Sequence, residues 1–94
     1  MRVRYSKRAT RDLILIADYI IAHNPSAAEA VETRIRTAAS RLGFFPFSGR
    51  ETDDPSIRVL PVARYPYLIF YEVLEKAVVI HHIRDARRKP FHPA

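Results

Sequence analysis

The stretch from Tyr65 to Val73 constrains the fold more than any other part of the chain. Seven of its nine residues are aromatic or aliphatic. Such side chains suit the pleated surface of a sheet, so the stretch predicts a central β-strand. Alternation along that strand places one set of side chains on one face, Tyr67, Ile69, Tyr71 and Val73, and another on the opposite face, Leu68, Phe70 and Glu72. Both faces are largely apolar, so we expect helices to cover the first face and a partner to cover the second.

Three shorter stretches also alternate between apolar and polar residues. Arg2 to Tyr5 predicts an edge strand, while Ile57 to Val62 and Ala77 to Arg84 lie on either side of the central strand in sequence. A short connection, Leu74 to Lys76, is typical of a hairpin. The last three strands therefore predict an antiparallel meander.

The first helix is expected to begin after Ser6, which stands at the N-cap position. Apolar residues then recur at three- and four-residue steps from Lys7 to about His23, the pattern of an amphipathic helix. Asn24-Pro25 ends it, because proline disfavours the helical conformation of the residue before it.

A second helix is expected to begin at the capping-box pattern Ser26-Ala-Ala-Glu29. Its apolar stripe continues to Leu42, and Gly43 is predicted to be a left-handed C-cap. The two helices would form an antiparallel hairpin.

Two loops follow the second helix in sequence. Phe44, Phe45 and Phe47 predict an aromatic plug that closes the lower edge of the core. The acidic stretch from Glu51 to Pro55 predicts a solvent-exposed turn region. The tail from Asp85 to Ala94 has no clear periodicity, and we expect it to be irregular or partly helical.

The order of these elements predicts a single α+β domain over residues 1–94. It would consist of an N-terminal strand, an antiparallel helical hairpin and a three-stranded antiparallel sheet. A chain of this length forms one small core.

The composition narrows the classes of partner that the protein is expected to bind. The net charge is +6 and the sequence pI is near 10.2, which favours nucleic acid, a ribosome or an acidic protein. Residues 57–94 carry seven basic and three acidic residues, a net charge of +4, so the C-terminal part is the expected docking side. We expect a cytoplasmic protein without a membrane partner, because no apolar run approaches the roughly 20 residues that span a bilayer.

Several kinds of site are not expected. The chain has no cysteine and only two glycines, so a thiolate metal site and a phosphate-cradling loop are unsupported. His81 and His82 would point to opposite faces of a regular strand and could not chelate one ion together. We expect neither a metal nor a cofactor, and keep one of these histidines as a candidate acid or base.

Five arginines are candidates for a phosphate site at one end of the sheet, Arg50, Arg58, Arg84, Arg87 and Arg88. Solvated or ion-paired surface arginines are the competing interpretation. Tyr65, Tyr67 and Tyr71 could stack on bases, although tyrosines in a strand more often belong to the core.

The sequence resembles toxins of the RelE/ParE superfamily over nearly its whole length. These are the toxins of bacterial type II toxin–antitoxin systems, often labelled plasmid stabilisation proteins. The resemblance rests on the order and spacing of several short segments, namely Ala9 to Ile20, Asn24-Pro25 with Ala27-Ala28, Pro46 with Gly49-Arg50, Arg58-Val59-Leu60, Tyr65 to Val73, and Ile83 to Arg88.

The resemblance implies the same fold but leaves two activities open. RelE-like members cleave mRNA in the ribosomal A site with basic side chains, whereas ParE-like members poison DNA gyrase. Arg58 and Arg87 match positions where RelE-like toxins carry basic catalytic side chains. Leu60 and Leu68 stand where that branch tends to have basic residues, and an apolar face does not stabilise charge developing on a phosphate.

We therefore expect a ParE-like inhibitor of DNA gyrase that a cognate antitoxin neutralises by folding onto Leu60, Leu68 and Phe70. The alternative is a metal-independent, ribosome-dependent mRNA endonuclease with Arg58 and Arg87 as catalytic residues. A third possibility is a basic nucleic-acid-binding module. Whether the target is gyrase or the ribosome, Arg50, Arg84 and Arg88 would contact the target or a phosphate.

Overall fold

Two helices cover one face of a five-stranded mixed sheet in the computed structural model, which describes residues 1–87. The elements in chain order are β1 (Arg2–Tyr5), α1 (Lys7–His23), α2 (Pro25–Arg41), β2 (Arg50–Glu51), β3 (Arg58–Pro61), β4 (Tyr67–Val73) and β5 (Ala77–Asp85). The α+β class and the helical hairpin are confirmed. The predicted irregular tail falls largely outside the described residues.

The strands lie in the order β1-β5-β4-β3-β2, so β4 is central, as predicted. β3, β4 and β5 form the expected antiparallel meander, and β1 is an edge strand that pairs in parallel with β5. β2 was not predicted, because two residues are too few to show a period of two. It pairs with β3 and forms the other edge of the sheet.

The core lies between β4, β5 and the two helices. Ile69, Tyr71 and Ile80 are completely buried beneath Leu13 and Ile35. Leu68, Phe70 and Glu72 alternate with the core residues of β4 and are half-buried. The prediction of which β4 residues meet the hairpin is therefore confirmed. We call the opposite side of the sheet, which carries Leu68 and Phe70, the outer face.

The start of α1 agrees with the sequence. The Ser6 hydroxyl oxygen accepts a hydrogen bond from the Ala9 backbone N–H at 3.0 Å.

The predicted capping box of α2 is wrong. α2 begins at Pro25, whose fixed φ suits the first helical position, and Ser26 instead donates to the Asn24 side chain at 2.9 Å.

Gly43 does not adopt the predicted left-handed conformation, and Leu42 ends α2 in the right-handed region. Contact with the N-terminus explains why a glycine occupies position 43. The Met1 ammonium donates to the Gly43 carbonyl at 2.7 Å, and a Cβ atom on Gly43 would lie 2.5 Å from the Met1 carbonyl oxygen. Close approach of the two segments, and not backbone φ, therefore requires a small residue.

The predicted aromatic plug is also wrong. Phe44, Phe45 and Phe47 are 81%, 59% and 65% exposed. The Tyr71 side chain, which comes from the sheet and is completely buried, reaches the backbone of the loop that carries them. Tyr71 closes this end of the core, so the phenylalanine rings are left outside.

A β-bulge interrupts β5. Phe70 lies opposite His82 and Tyr71 lies opposite Ile80, so His81 is the extra residue. The bulge shifts the alternation: the buried residues of β5 are Val78 and Ile80 before it and Ile83 after it, so a step of three residues replaces a step of two. Both histidines consequently have partners on the outer face, Glu72 for His81 and Phe70 for His82, and the expectation that they point to opposite faces was wrong.

Helix α1 completes the hydrogen bonding of this bulge. β1 stops opposite Ile80, so the following part of β5 has no strand neighbour on that side. The Ser6 hydroxyl donates to the His81 carbonyl at 3.1 Å, and the Asp12 carboxylate accepts from the Ile83 N–H at 3.0 Å. The N-cap of α1 and one side chain of the helix thus replace the missing strand. Neither this helix nor the other one within residues 1–87 has the length and hydropathy to cross a membrane.

Candidate partner-binding surfaces

The outer face combines an apolar centre with basic residues at its two sides. Register places Val59 and Phe70 side by side, and Leu68 opposite Arg84. The Arg84 guanidinium lies 5.4 Å from the centroid of the Phe70 ring. On β2, Arg50 lies opposite Val59 and is exposed. Arg50 and Arg84 are three strands apart, or roughly 14 Å, so they flank the apolar residues.

Leu60 does not belong to this face, contrary to expectation. It lies opposite Ile69 and packs against the core. Residues paired across an antiparallel ladder point to the same side of the sheet, so Leu60 faces the helices. In the β3–β4 register, each even-numbered residue of β3 lies opposite an odd-numbered residue of β4. Val59 and Pro61 therefore occupy the outer-face positions beside Phe70 and Leu68.

Arg58 also lies on the helix-facing side, opposite Tyr71. One of its terminal nitrogens donates to the Gly49 carbonyl at 2.7 Å, and the other lies 3.6 Å from the Glu51 carboxylate. Its guanidinium is 5.1 Å from the centroid of the Phe47 ring. With 24% of its side chain exposed, Arg58 holds the segment before β3 in place.

Arg87 is bound to Asp85 through two side-chain nitrogens at 3.1 Å and 2.8 Å and through its backbone N–H at 2.8 Å. The hydrogen bond to Asp85, together with the charge of that carboxylate, raises the pKa of Arg87 above its ordinary value. Asp85 lies opposite Tyr67, four residues from Tyr71, which puts the carboxylate that holds Arg87 about 13 Å along β4 from the level of Arg58.

The predicted convergence of arginines is therefore not found among residues 1–87. Arg50 and Arg84 lie at separate sides of the outer face, Arg58 lies towards the helices, and Arg87 lies past the end of β5. Arg88 falls outside the described residues. The register of the sheet, which the sequence does not reveal, sets these positions.

A histidine and a carboxylate meet where α1 reaches the bulge. His82 Nδ1 lies 2.7 Å from Asp12 Oδ2, and an Arg8 nitrogen lies 3.5 Å from His82 Nε2. The His82 ring stacks on Phe70 with the ring centroids 5.8 Å apart. Sequence reasoning did not find this pair, because 70 residues separate its members. Within the described part of the chain, no three histidine, aspartate or glutamate side chains form a group that could hold a metal.

The three exposed phenylalanines form a separate surface, which we call the aromatic loop (residues 44–49). Tyr71 binds its backbone twice, donating to the Pro46 carbonyl at 2.8 Å and accepting from the Gly49 N–H at 2.9 Å. Arg58 binds the Gly49 carbonyl. The sequence showed the three aromatic residues but not their exposure, which depends on these long-range contacts.

Helix α1 exposes further apolar side chains. Ile14, Leu15 and Ile21 are each more than half exposed, at 56%, 54% and 53%. They lie on the side of α1 that does not meet the core, so they are separate from the outer face of the sheet.

Comparisons with known proteins agree with this fold. A family model described as the ParE toxin of the type II toxin-antitoxin system parDE matches residues 3–90. A putative toxin, Y4kP, from Sinorhizobium fredii is 40% identical over 83 residues, which cover 85% of this chain and 86% of that protein. Toxin RelE2 from Caulobacter vibrioides is 39% identical over 87 residues, which cover 93% of this chain and 97% of that protein.

A solved structure titled chromosomal ParDE TA system from P. aeruginosa has the same fold. One of its chains matches with a TM-score of 0.83 and 23% identity, over 93% of this chain and 97% of that chain. The family model spans nearly the whole sequence, and two curated toxins exceed one third identity over most of it. The chain therefore belongs to the ParE toxin family of type II toxin–antitoxin systems, within the RelE/ParE superfamily.

Proposed function

We propose that this toxin inhibits DNA gyrase in the cytoplasm, that a cognate antitoxin neutralises it, and that the pair serves in plasmid stabilisation. The observation that carries the proposal is that the two candidate catalytic arginines bind other groups of the protein. Arg58 donates to Gly49 and pairs with Glu51, while Arg87 is bound to Asp85. Both are occupied by the protein itself.

Phosphodiester cleavage needs several donors aimed at one phosphate, because negative charge accumulates on its oxygens in the transition state. Arg58 and Asp85, the residue that binds Arg87, are separated by about 13 Å along the strand direction and by two strand spacings across the sheet. A clamp on one phosphate would require both to leave their present partners. This arrangement favours a protein-binding inhibitor over a nuclease.

The outer face suits the antitoxin. Its apolar centre, Leu68 and Phe70, lies between the cations Arg50 and Arg84. An acidic amphipathic segment that folds on binding would bury the apolar residues and place carboxylates near both arginines. Leu60, which faces the core, would contribute through packing under this surface and not through contact.

An mRNA endonuclease of the RelE kind is the second candidate, and one observation favours it. His82 is oriented by Asp12 and lies on the outer face beside Phe70 and Arg84. An imidazole that is held by a carboxylate, next to a cation, can act as a general acid or base in metal-independent cleavage. In that case His82, and not Arg58 or Arg87, would carry the proton transfer.

A paired assay separates the two candidates. Purified toxin is incubated with DNA gyrase and relaxed plasmid, and in parallel with ribosomes programmed with a defined mRNA. We expect loss of supercoiling or trapped cleaved DNA, with the mRNA intact. Codon-phased mRNA cuts that disappear in His82→Ala, with supercoiling unaffected, would establish the endonuclease instead.

A further inference from the structure

The aromatic loop presents three apolar rings to solvent on a backbone that is held in place. Tyr71 and Arg58 together bind Pro46 and Gly49 through three hydrogen bonds of 2.7 to 2.9 Å. Gly49 fits so closely that a Cβ atom there would lie 2.6 Å from the Tyr71 hydroxyl. Further backbone bonds join Phe44 and Phe45 to Arg41. The loop therefore has its conformation before any partner arrives.

This arrangement is unfavourable for an isolated protein. Phe44, the most exposed of the three at 81%, loses nearly all the free energy that burial of a phenylalanine would provide. Contiguous exposed apolar residues in soluble proteins commonly mark interaction sites. A rigid loop also loses little conformational entropy on binding, so its rings can contribute most of their burial energy to affinity.

Charge around the loop indicates the kind of partner. Residues 41–50 contain no acidic side chain and carry an exposed arginine at each end, Arg41 and Arg50. The next residue, Glu51, has Arg58 as an ion-pair partner at 3.6 Å. The loop thus joins apolar rings to two flanking positive charges, which complement an apolar cleft with carboxylates at its rim.

We propose that Phe44, Phe45 and Phe47 form the surface with which the toxin engages its protein target, inserting into an apolar cleft bordered by acidic residues. The identification of that target as DNA gyrase rests on the proposed function. This surface is distinct from the outer face assigned to the antitoxin. A protein cleft fits better than nucleic acid, because phenylalanine has no hydrogen-bonding group to read a base. Arg58, the cation beside Phe47, is engaged by Gly49 and Glu51, which leaves Arg41 and Arg50 as the exposed flanking cations within the described residues.

The test compares three forms of the chain: the wild type, the triple variant Phe44→Ser/Phe45→Ser/Phe47→Ser, and Ile14→Ser/Leu15→Ser/Ile21→Ser on helix α1 as a matched control that also changes three exposed apolar side chains to serine. The loop is held through backbone atoms and Tyr71, so we expect the triple variant to fold, which its thermal melt will show. The single variant Phe44→Ser provides a milder change if the triple variant melts early.

We expect the triple variant to inhibit gyrase supercoiling roughly 30-fold less strongly or worse, the loss that follows truncation of central interface aromatics. The α1 variant Ile14→Ser/Leu15→Ser/Ile21→Ser should inhibit as the wild type does. A folded triple variant with wild-type inhibition would overturn the proposal. The proposal would also be overturned if the wild type self-associates and the triple variant does not. A further contrary result is binding to a DNA duplex that weakens steeply with salt and that the wild type shows but the triple variant lacks.

Growth arrest on expression distinguishes this proposal from the identity of the target. If the wild type arrests growth but leaves gyrase active, the gyrase assignment fails. Selective loss of growth arrest in the folded triple variant would still assign target engagement to the loop, whereas retained arrest would refute it.

Discussion

The buried hydroxyl of Tyr71 connects the centre of the sheet to the loop that follows α2: it accepts from the Gly49 N–H at 2.9 Å and donates to the Pro46 carbonyl at 2.8 Å. The ring is completely buried, so the bond from the Gly49 N–H is shielded from water, and the bond to the Pro46 carbonyl is partly buried. One side chain of β4 therefore closes the core and fixes the aromatic loop.

Tyr71→Phe removes both bonds and leaves the backbone groups of Pro46 and Gly49 without that partner. We expect the free energy of unfolding to fall by about 1–3 kcal/mol. Urea unfolding will measure this. Tyr65→Phe is the control, because the Tyr65 hydroxyl has no hydrogen bond within residues 1–87 and its loss should change stability by less than about 0.5 kcal/mol.

Asp12 holds α1 against the bulge through Ile83 and His82. Asp12→Ala leaves the Ile83 N–H unpaired, so we expect a loss of roughly 1–3 kcal/mol in the free energy of unfolding. Hydrogen exchange at Ile83 should accelerate in parallel. Asp18→Ala changes an exposed carboxylate on the same helix and should leave both measurements nearly unchanged. Equal effects of the two substitutions would mean that net charge, and not the bulge contact, is responsible.

Two serines that resemble helix caps in sequence should differ in their contribution to stability. Ser6 accepts from Ala9 and donates to His81, whereas the Ser26 hydroxyl, as far as residues 1–87 show, bonds to the Asn24 side chain alone. Ser6→Ala should cost about 1 kcal/mol or more, and Ser26→Ala less than about 0.5 kcal/mol. Thermal melts of both variants test the ranking, and the reverse order would contradict the cap assignments.

Leu60 and Leu68 lie on opposite sides of the sheet, so the same substitution should act differently at each. Leu60→Ala removes packing against the core and should cost roughly 2 kcal/mol, the lower end for core leucines. Leu68→Ala should cost less than about 1 kcal/mol but weaken binding of the antitoxin. Chemical denaturation gives the first comparison, and titration with the cognate antitoxin gives the second. Unchanged antitoxin affinity in Leu68→Ala would count against the outer face as its site.

Burial raises the pKa of Tyr5, although the positive charge of Arg36, 5.8 Å from the ring centroid, partly opposes the shift. The folded state therefore disfavours the phenolate. Stability should be fully present below pH 10.0, the ordinary pKa that the unfolded chain retains, and should decline as the pH rises through the higher folded value. Tyr5→Phe should make this alkaline decline shallower in urea unfolding at a series of pH values. An unchanged slope would show that other groups cause it.

The elements themselves followed from local physics. Ser6 and the apolar repeat after Lys7 defined α1, and the aromatic run of β4 defined the central strand with its two faces. Each of these signals lies within a few residues, so propensity and periodicity were enough. Pro25 overrode the capping box at Ser26 because its ring already has the φ of a first helical residue.

The sequence by itself therefore determined the α+β class, the helical hairpin, the central strand and the resemblance to the toxin superfamily. Only the tertiary structure decided which side chains share a surface. The β3–β4 register turned Leu60 and Arg58 towards the helices, and the bulge at His81 brought both histidines to partners on the outer face. Register and bulges depend on hydrogen bonds between strands and on contacts such as Asp12 with Ile83, whose 71-residue separation no local pattern encodes.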